Sequence, residues 1–169
     1  EPQGLSNIVW AFAKLDSSDA ALFRLVAQHA ALKMRAFSSQ NMANIIWSFA
    51  HVSIDDLQLF HLVAEEAIAR IAEFSPQGLS NVAWAFASRG MSNQMLFCEI
   101  TKSSLVTMHT FSAQGLSNLV WAYAKLNVKT TAVFLAVADV SSMRMKDMRS
   151  RDIANLAWAF ATIGLDHPT

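Results

Sequence analysis

The chain reads as an all-α protein, a right-handed superhelical solenoid of stacked two-helix units, and three observations predict it. The five tryptophans, Trp10, Trp47, Trp84, Trp121 and Trp158, stand 37 residues apart. Asn7, Asn44, Asn81, Asn118 and Asn155 keep the same interval, as do Phe23, Phe60, Phe97 and Phe134, and Phe37, Phe74 and Phe111 with Met148 in the fourth slot. Within each unit apolar residues fall at helical spacing, and no segment alternates with period two. No insertion breaks the interval, so the units are expected to stack regularly at 1–37, 38–74, 75–111 and 112–148, with a partial fifth at 149–169. A fifth apolar helix with no partner is a poor cap, and the sequence is expected to belong to a longer solenoid.

Each unit begins with helix A. In the first unit Leu5, Ile8, Val9 and Phe12 recur at i, i+3, i+4 and i+7 and make one apolar face, while Asn7, Trp10 and Lys14 share a neighbouring one. Ser38, Ser75 and Ser112 are placed to cap the helices that follow, with Pro76 at the first helical position; Glu1–Pro2 imitates that pair. Gly4, Gly78 and Gly115 sit in the first turn, where glycine costs about 1 kcal/mol against alanine. Their recurrence points to close approach by a neighbouring helix, or by a ligand. The turns Asp16–Asp19, Ser53–Asp56, Gly90–Asn93 and Asn127–Thr130 are rich in Asp, Ser, Asn and Gly. Helix B follows each, with spacing such as Leu22, Phe23, Val26 and Ala30.

Composition narrows the function classes. Of 169 residues 53% are apolar and 15% charged, a greasy balance that suits extensive internal packing. Thirteen basic residues meet thirteen acidic ones, so net charge gives no argument for nucleic acid. The sum hides an asymmetry, because residues 102–151 carry seven basic side chains against two acidic. Cys98 is a single thiol, expected to be buried and inert. No apolar run is long enough to span a membrane.

No catalytic constellation is visible. His29, His51, His61, His109 and His167 occupy different registers, and the QGLSN segments hold one glycine each, too few to cradle a diphosphate. An enzyme is not expected, nor a metal, cofactor or small-molecule substrate.

Two rows could serve either packing or binding. The indoles can stack on unpaired bases, but a residue fixed in every unit also suits a wedge between helices of adjacent units, and the wedge is the expected role. The asparagines imply a recurring partner, since a buried unpaired amide is costly. A ladder between units is favoured over an exposed row, because a residue that reads sequence should vary. The registers that do vary are Gly4, Asn41, Gly78, Gly115, Asp152; then Ser6, Ala43, Ser80, Ser117, Ala154; then Lys14, His51, Ser88, Lys125, Thr162. The first two lie near helix N-termini, which favour anions. Arg144, Lys146, Arg149 and Arg151 cluster around the last inter-unit turn as candidate phosphate contacts, with Lys102, Lys125 and Lys129 as extensions. The candidate RNA-binding set is therefore Asn41, Asn44, Ser80, Asn81, Ser117, Asn118, Lys125, Arg144, Lys146, Arg149, Arg151 and Asp152.

The run F-S-x-Q-G-L-S-N-x-x-W-A-F-A at Phe74–Ala87, and at Phe111–Ala124 with Tyr123 in place of phenylalanine, resembles the helix A signature of the octotricopeptide and heptatricopeptide organellar repeats. The unit length is closest to the heptatricopeptide form. That resemblance implies a protein of mitochondria or plastids (chloroplast or apicoplast) that binds single-stranded RNA and supports its maturation, stability or translation. The alternative is a structural module packing against proteins or folded ribosomal RNA in a large assembly such as a mitochondrial ribosome. Two departures stand out: the array is neutral where such arrays are basic, and the fifth unit replaces Gln and Gly with Arg151 and Asp152.

Overall fold

The computed structural model describes residues 1–164. Among them are nine α-helices and no strand: α1 (Pro2–Lys14), α2 (Ala20–Ala31), α3 (Ser39–His51), α4 (Leu57–Ala69), α5 (Pro76–Ser88), α6 (Gln94–Thr107), α7 (Ala113–Lys125), α8 (Thr131–Met143) and α9 (Ser150–Ile163). Successive odd-numbered helices begin 37 residues apart, and so do successive even-numbered ones. His167 lies outside the described residues.

Local chemistry sets these bounds. Ser38, Ser75 and Ser112 each accept a hydrogen bond from the backbone N–H three residues on, at 3.1 Å, which satisfies one of the free donors of the first turn. Ser38 and Asn41 form a reciprocal capping box. Asp19, Asp56 and Asn93 cap α2, α4 and α6 in the same way. The preceding helices stop because Asp16, Ser53, Gly90 and Asn127 turn into the left-handed region, with φ between 52° and 66°. A short 3-10 turn returns each even helix to the next odd one, at Met34–Ala36, Ile71–Glu73, Met108–Thr110 and Met145–Asp147.

The odd helices form one continuous layer, α1 on α3 on α5 on α7 on α9, and pack far more closely than the even helices do. The array therefore curves towards the odd layer, which lines the inner side, while the even helices spread along the outer side. Between the layers one aromatic contact repeats at every junction. Phe23 meets Phe49, Phe60 meets Phe86, Phe97 meets Tyr123 and Phe134 meets Phe160, all edge to face at 4.9–5.3 Å. Each pair joins an outer helix to the inner helix of the next unit, so it locks units together rather than closing one unit on itself. Tyr123 is fully buried, and its hydroxyl donates to the Phe97 carbonyl at 3.1 Å and lies 2.8 Å from Thr101 Oγ1. Burial raises its pKa, which keeps the phenol a donor.

Further ties cross the junctions at the rim. Arg70 Nη1 donates to the Phe37 carbonyl at 2.9 Å, and Arg144 Nη1 to the Phe111 carbonyl at 2.8 Å. Arg89 grips Asp55 with two bonds at 2.7 and 2.9 Å and holds that carboxyl below the usual carboxylate range. The tie is complete at neutral pH and is lost as acid protonates Asp55.

Cys98 corrects an expectation: it is exposed. It follows the buried Phe97 on α6 and faces outwards, because the outer helices bury a narrower stripe than the inner ones.

Replacing Phe86 with alanine should cost about 3–5 kcal/mol, read as a lowered urea midpoint by circular dichroism. A loss under about 1 kcal/mol would mean that the junction tolerates an empty aromatic site.

Candidate nucleic-acid interface

In α5, with units on both sides, Gln77, Asn81, Trp84 and Ser88 remain at least partly accessible along one stripe, while nearly every other position is buried. The same stripe in α3 and α7 is Gln40, Asn44, Trp47, His51 and Gln114, Asn118, Trp121, Lys125. Stacked side by side, these helices make an inner surface of parallel rows: glutamine, asparagine, tryptophan, then a variable polar residue.

The tryptophans form a continuous row. Ring centroids of Trp47 and Trp84, Trp84 and Trp121, and Trp121 and Trp158 lie 6.2, 6.4 and 6.2 Å apart, tilted by 31–35°. The expected wedge between helices of adjacent units holds only in part, because the indoles do meet across unit boundaries but are not enclosed there. Trp47, Trp84 and Trp121 lie half-buried on the inner surface, Trp10 and Trp158 are 42% exposed, and neighbouring rings from Trp47 to Trp158 lean on one another across unit boundaries. At the first junction Lys14 Nζ stands 5.5 Å from the Trp10 ring and 5.3 Å from the Trp47 ring, a cation shared between two π faces. His51 stacks on Trp47 at 4.6 Å and bonds Asp16 at 3.0 Å.

The asparagine row is not a ladder. Among the described residues, no hydrogen bond ties the Asn44, Asn81 or Asn118 amides to a neighbouring unit, and all three are partly accessible. The ladder runs along the adjacent stripe, through the first two variable registers. Asn41 Nδ2 donates to Ser6 Oγ at 3.2 Å, and Ser117 Oγ lies 3.4 Å from Asp152 Oδ1. At the two junctions between them the incoming residue is glycine. A Cβ on Gly78 would come within 3.3 Å of the Phe74 ring and 3.7 Å of Ala43 Cβ; one on Gly115 would stand 3.3 Å from the Phe111 ring and 3.5 Å from Ser80 Oγ. These glycines serve close packing, whereas Gly4 has open space around it.

This seam withdraws several candidates. Ser80, Ser117 and Asp152 are buried. Ser80 and Ser117 donate to the Gln77 and Gln114 carbonyls, and Asp152 accepts from the Arg149 N–H at 3.4 Å. Asn41 spends both ends of its amide on Ser38 and Ser6. Arg144 is also committed, to the carbonyls of Phe111 and His109. Their variation between units reflects which side-chain pair fits each seam. Lys125, Lys146, Arg149 and Arg151 remain exposed. Arg149 and Arg151 hold the positions of Ser112 and Gln114 one unit earlier.

Those positions matter because clefts open between successive inner helices at their N-terminal ends. One, of about 380 Å³, is lined by Gln40, Asn44, Glu73, Gln77 and Asn81 among others. The next, of about 320 Å³, is lined by Gln77, Asn81, Thr110, Gln114 and Asn118 among others. Sequence reasoning listed the asparagines but missed the glutamines, although Gln3, Gln40, Gln77 and Gln114 keep the same 37-residue interval. Among the described residues no group of His, Cys, Asp and Glu could hold a metal ion, and no helix is long and apolar enough to cross a membrane.

The chain matches the family described as RNA-editing substrate-binding complex 6 protein over residues 3–168. It belongs to that family. Among curated proteins none matches the chain. The RNA-editing substrate-binding complex 6 family agrees with the motif resemblance at the coarser level, a helical family associated with RNA, and not with the octotricopeptide or heptatricopeptide families in particular.

If Asp152 belongs to the seam, Asp152→Ala should lower stability by about 1–2 kcal/mol and leave affinity for single-stranded RNA within twofold. A selective loss of RNA affinity with no change in the urea midpoint would return it to the binding surface.

Proposed function

We propose that this protein is a non-catalytic scaffold that holds single-stranded RNA along its inner surface. The observation that carries the reading is the coincidence, on one accessible face, of a tryptophan row with clefts whose glutamine and asparagine side chains have no partner among the described residues. Half-exposed indoles offer stacking of about 1–3 kcal/mol per base, and unspent amides offer hydrogen bonds to base edges. Phosphate neutralisation falls to Lys125 and, around the last inter-unit turn, to Lys146, Arg149 and Arg151.

Membership of a family named for an RNA-editing substrate-binding complex supports the reading, as does the likeness of the helix A motif to the octotricopeptide and heptatricopeptide repeats. RNA-editing complexes are typically mitochondrial, and the mitochondrion is the proposed compartment; the plastid has no such support. Within such a complex the scaffold would serve RNA maturation, stability or translation.

A protein-packing role is the second reading, and the outer rim favours it. Leu32, Val106 and Met143 share one register at the ends of outer helices and are 77–82% exposed. This greasy row lines neither cleft, so a protein partner there is compatible with RNA inside.

The test is binding of a single-stranded RNA pool at several salt concentrations. Lys146→Ala, Arg149→Ala and Arg151→Ala together should weaken binding and flatten the log–log salt slope by about 2, from roughly 0.7 per phosphate contact. No binding at low salt by the unmodified protein would leave only the protein-packing role.

A further inference from the structure

The residue four positions after each tryptophan lies one helical turn further along the same stripe, beside the indole. In successive inner helices it is Lys14, His51, Ser88, Lys125 and Thr162. These side chains treat the indoles differently. Lys14 shares its ammonium between Trp10 and Trp47, at 5.5 and 5.3 Å from the ring centroids. His51 lays its imidazole on Trp47, with centroids 4.6 Å apart and planes inclined by 19°, and a 3.0 Å bond to Asp16 holds it there. Trp47 therefore carries both an ammonium and a flat ring that the protein itself supplies.

Trp84 is the matched case without that cover. Both indoles belong to inner helices with units on either side, and both are partly accessible. Ser88 stands where His51 does, is too short to reach across the ring, and donates its hydroxyl to the Ala85 carbonyl at 3.0 Å. Among the described residues no cation or imidazole lies over Trp84.

His51 shows what the open seat accepts. It is a planar heteroaromatic ring, stacked on the indole, and it is itself exposed, so the seat opens to solvent. A nucleobase has that shape, and every base has a face that stacks on an aromatic side chain. A base arriving at Trp47 has to displace the imidazole and break its bond to Asp16. A base arriving at Trp84 displaces only water. Charge points the same way. Asp16 stands beside the seat on Trp47, whereas the helix after that of Trp84 ends on the exposed Lys125, and attraction to phosphate needs the cation.

We infer that the side chain four residues after each tryptophan gates its indole, and that Trp84, left open by Ser88, is a stacking anchor for single-stranded RNA while Trp47, covered by His51 and Lys14, is not. This rests on the RNA-binding reading, and the experiment separates the two. Fluorescence anisotropy of a labelled single-stranded RNA pool, at about pH 8 where an added imidazole is uncharged, compares the unmodified protein with three single variants. Trp84→Ala should weaken binding by about 5- to 100-fold, the range for one stacked base, and Trp47→Ala should change it by less than about twofold. Ser88→His builds on Trp84 the cover that Trp47 has, keeps the indole, and should weaken binding by at least about fivefold. Circular dichroism melting curves check the fold of each variant, and Ser88→His decides the matter if Trp84→Ala does not fold. Equal losses in Trp47→Ala and Trp84→Ala, or full affinity in Ser88→His, would overturn the inference and leave RNA binding intact. No binding of the pool by the unmodified protein would overturn the RNA-binding reading with it.

Discussion

The edge-to-face aromatic contact between an outer helix and the inner helix of the next unit is the constraint on which the array depends. Phe60 against Phe86 is representative. Both rings are buried, and their contact joins one unit to the next. A unit of 37 residues has too little core to be stable alone, so burial has to be shared across the junction. The repeat interval cannot drift, because one residue more or less would swing the ring by about 100° around its helix and out of its socket.

Close packing of the inner helices follows from that lock and decides which residues remain for function. Small residues meet along the seam: Ala43 with Gly78, and Ser80 with Gly115. At the two ends of the array, where the incoming side chain is Asn41 or Asp152, a serine hydroxyl bonds it. Every junction thus closes without a gap or an orphaned polar group at this point, and polar side chains of the neighbouring stripe are pressed to the inner surface. The accessible rows exist because the seam beside them is tight.

Much of the fold was legible because its signals are local or periodic. The capping serines, the left-handed turn residues and the helical spacing each act within one unit and repeat, so Ser75, Gly90 and Trp84 could be read from spacing alone. The candidate interface was less legible. Spacing alone offers Asn44, Asn81 and Asn118 both as candidate contacts and as a favoured internal ladder, and it offers Ser80, Ser117 and Asp152 as candidate contacts too. The two groups differ by about one residue in helical phase, and a helical wheel drawn for an isolated helix does not say which of two adjacent stripes a neighbour will cover. Arg144 was misplaced for a related reason: its partners, the carbonyls of Phe111 and His109, are brought to it by the stacking of a whole unit.

Sequence alone determined the unit, its two helices, their ends and the fact of stacking, since these depend on hydrogen bonds and side-chain spacing within about 40 residues. Tertiary structure decided which polar stripe became seam and which became surface. That choice depends on the rotation of one helix against the next, set by aromatic pairs and glycine contacts made between units, and no periodicity within a unit encodes it.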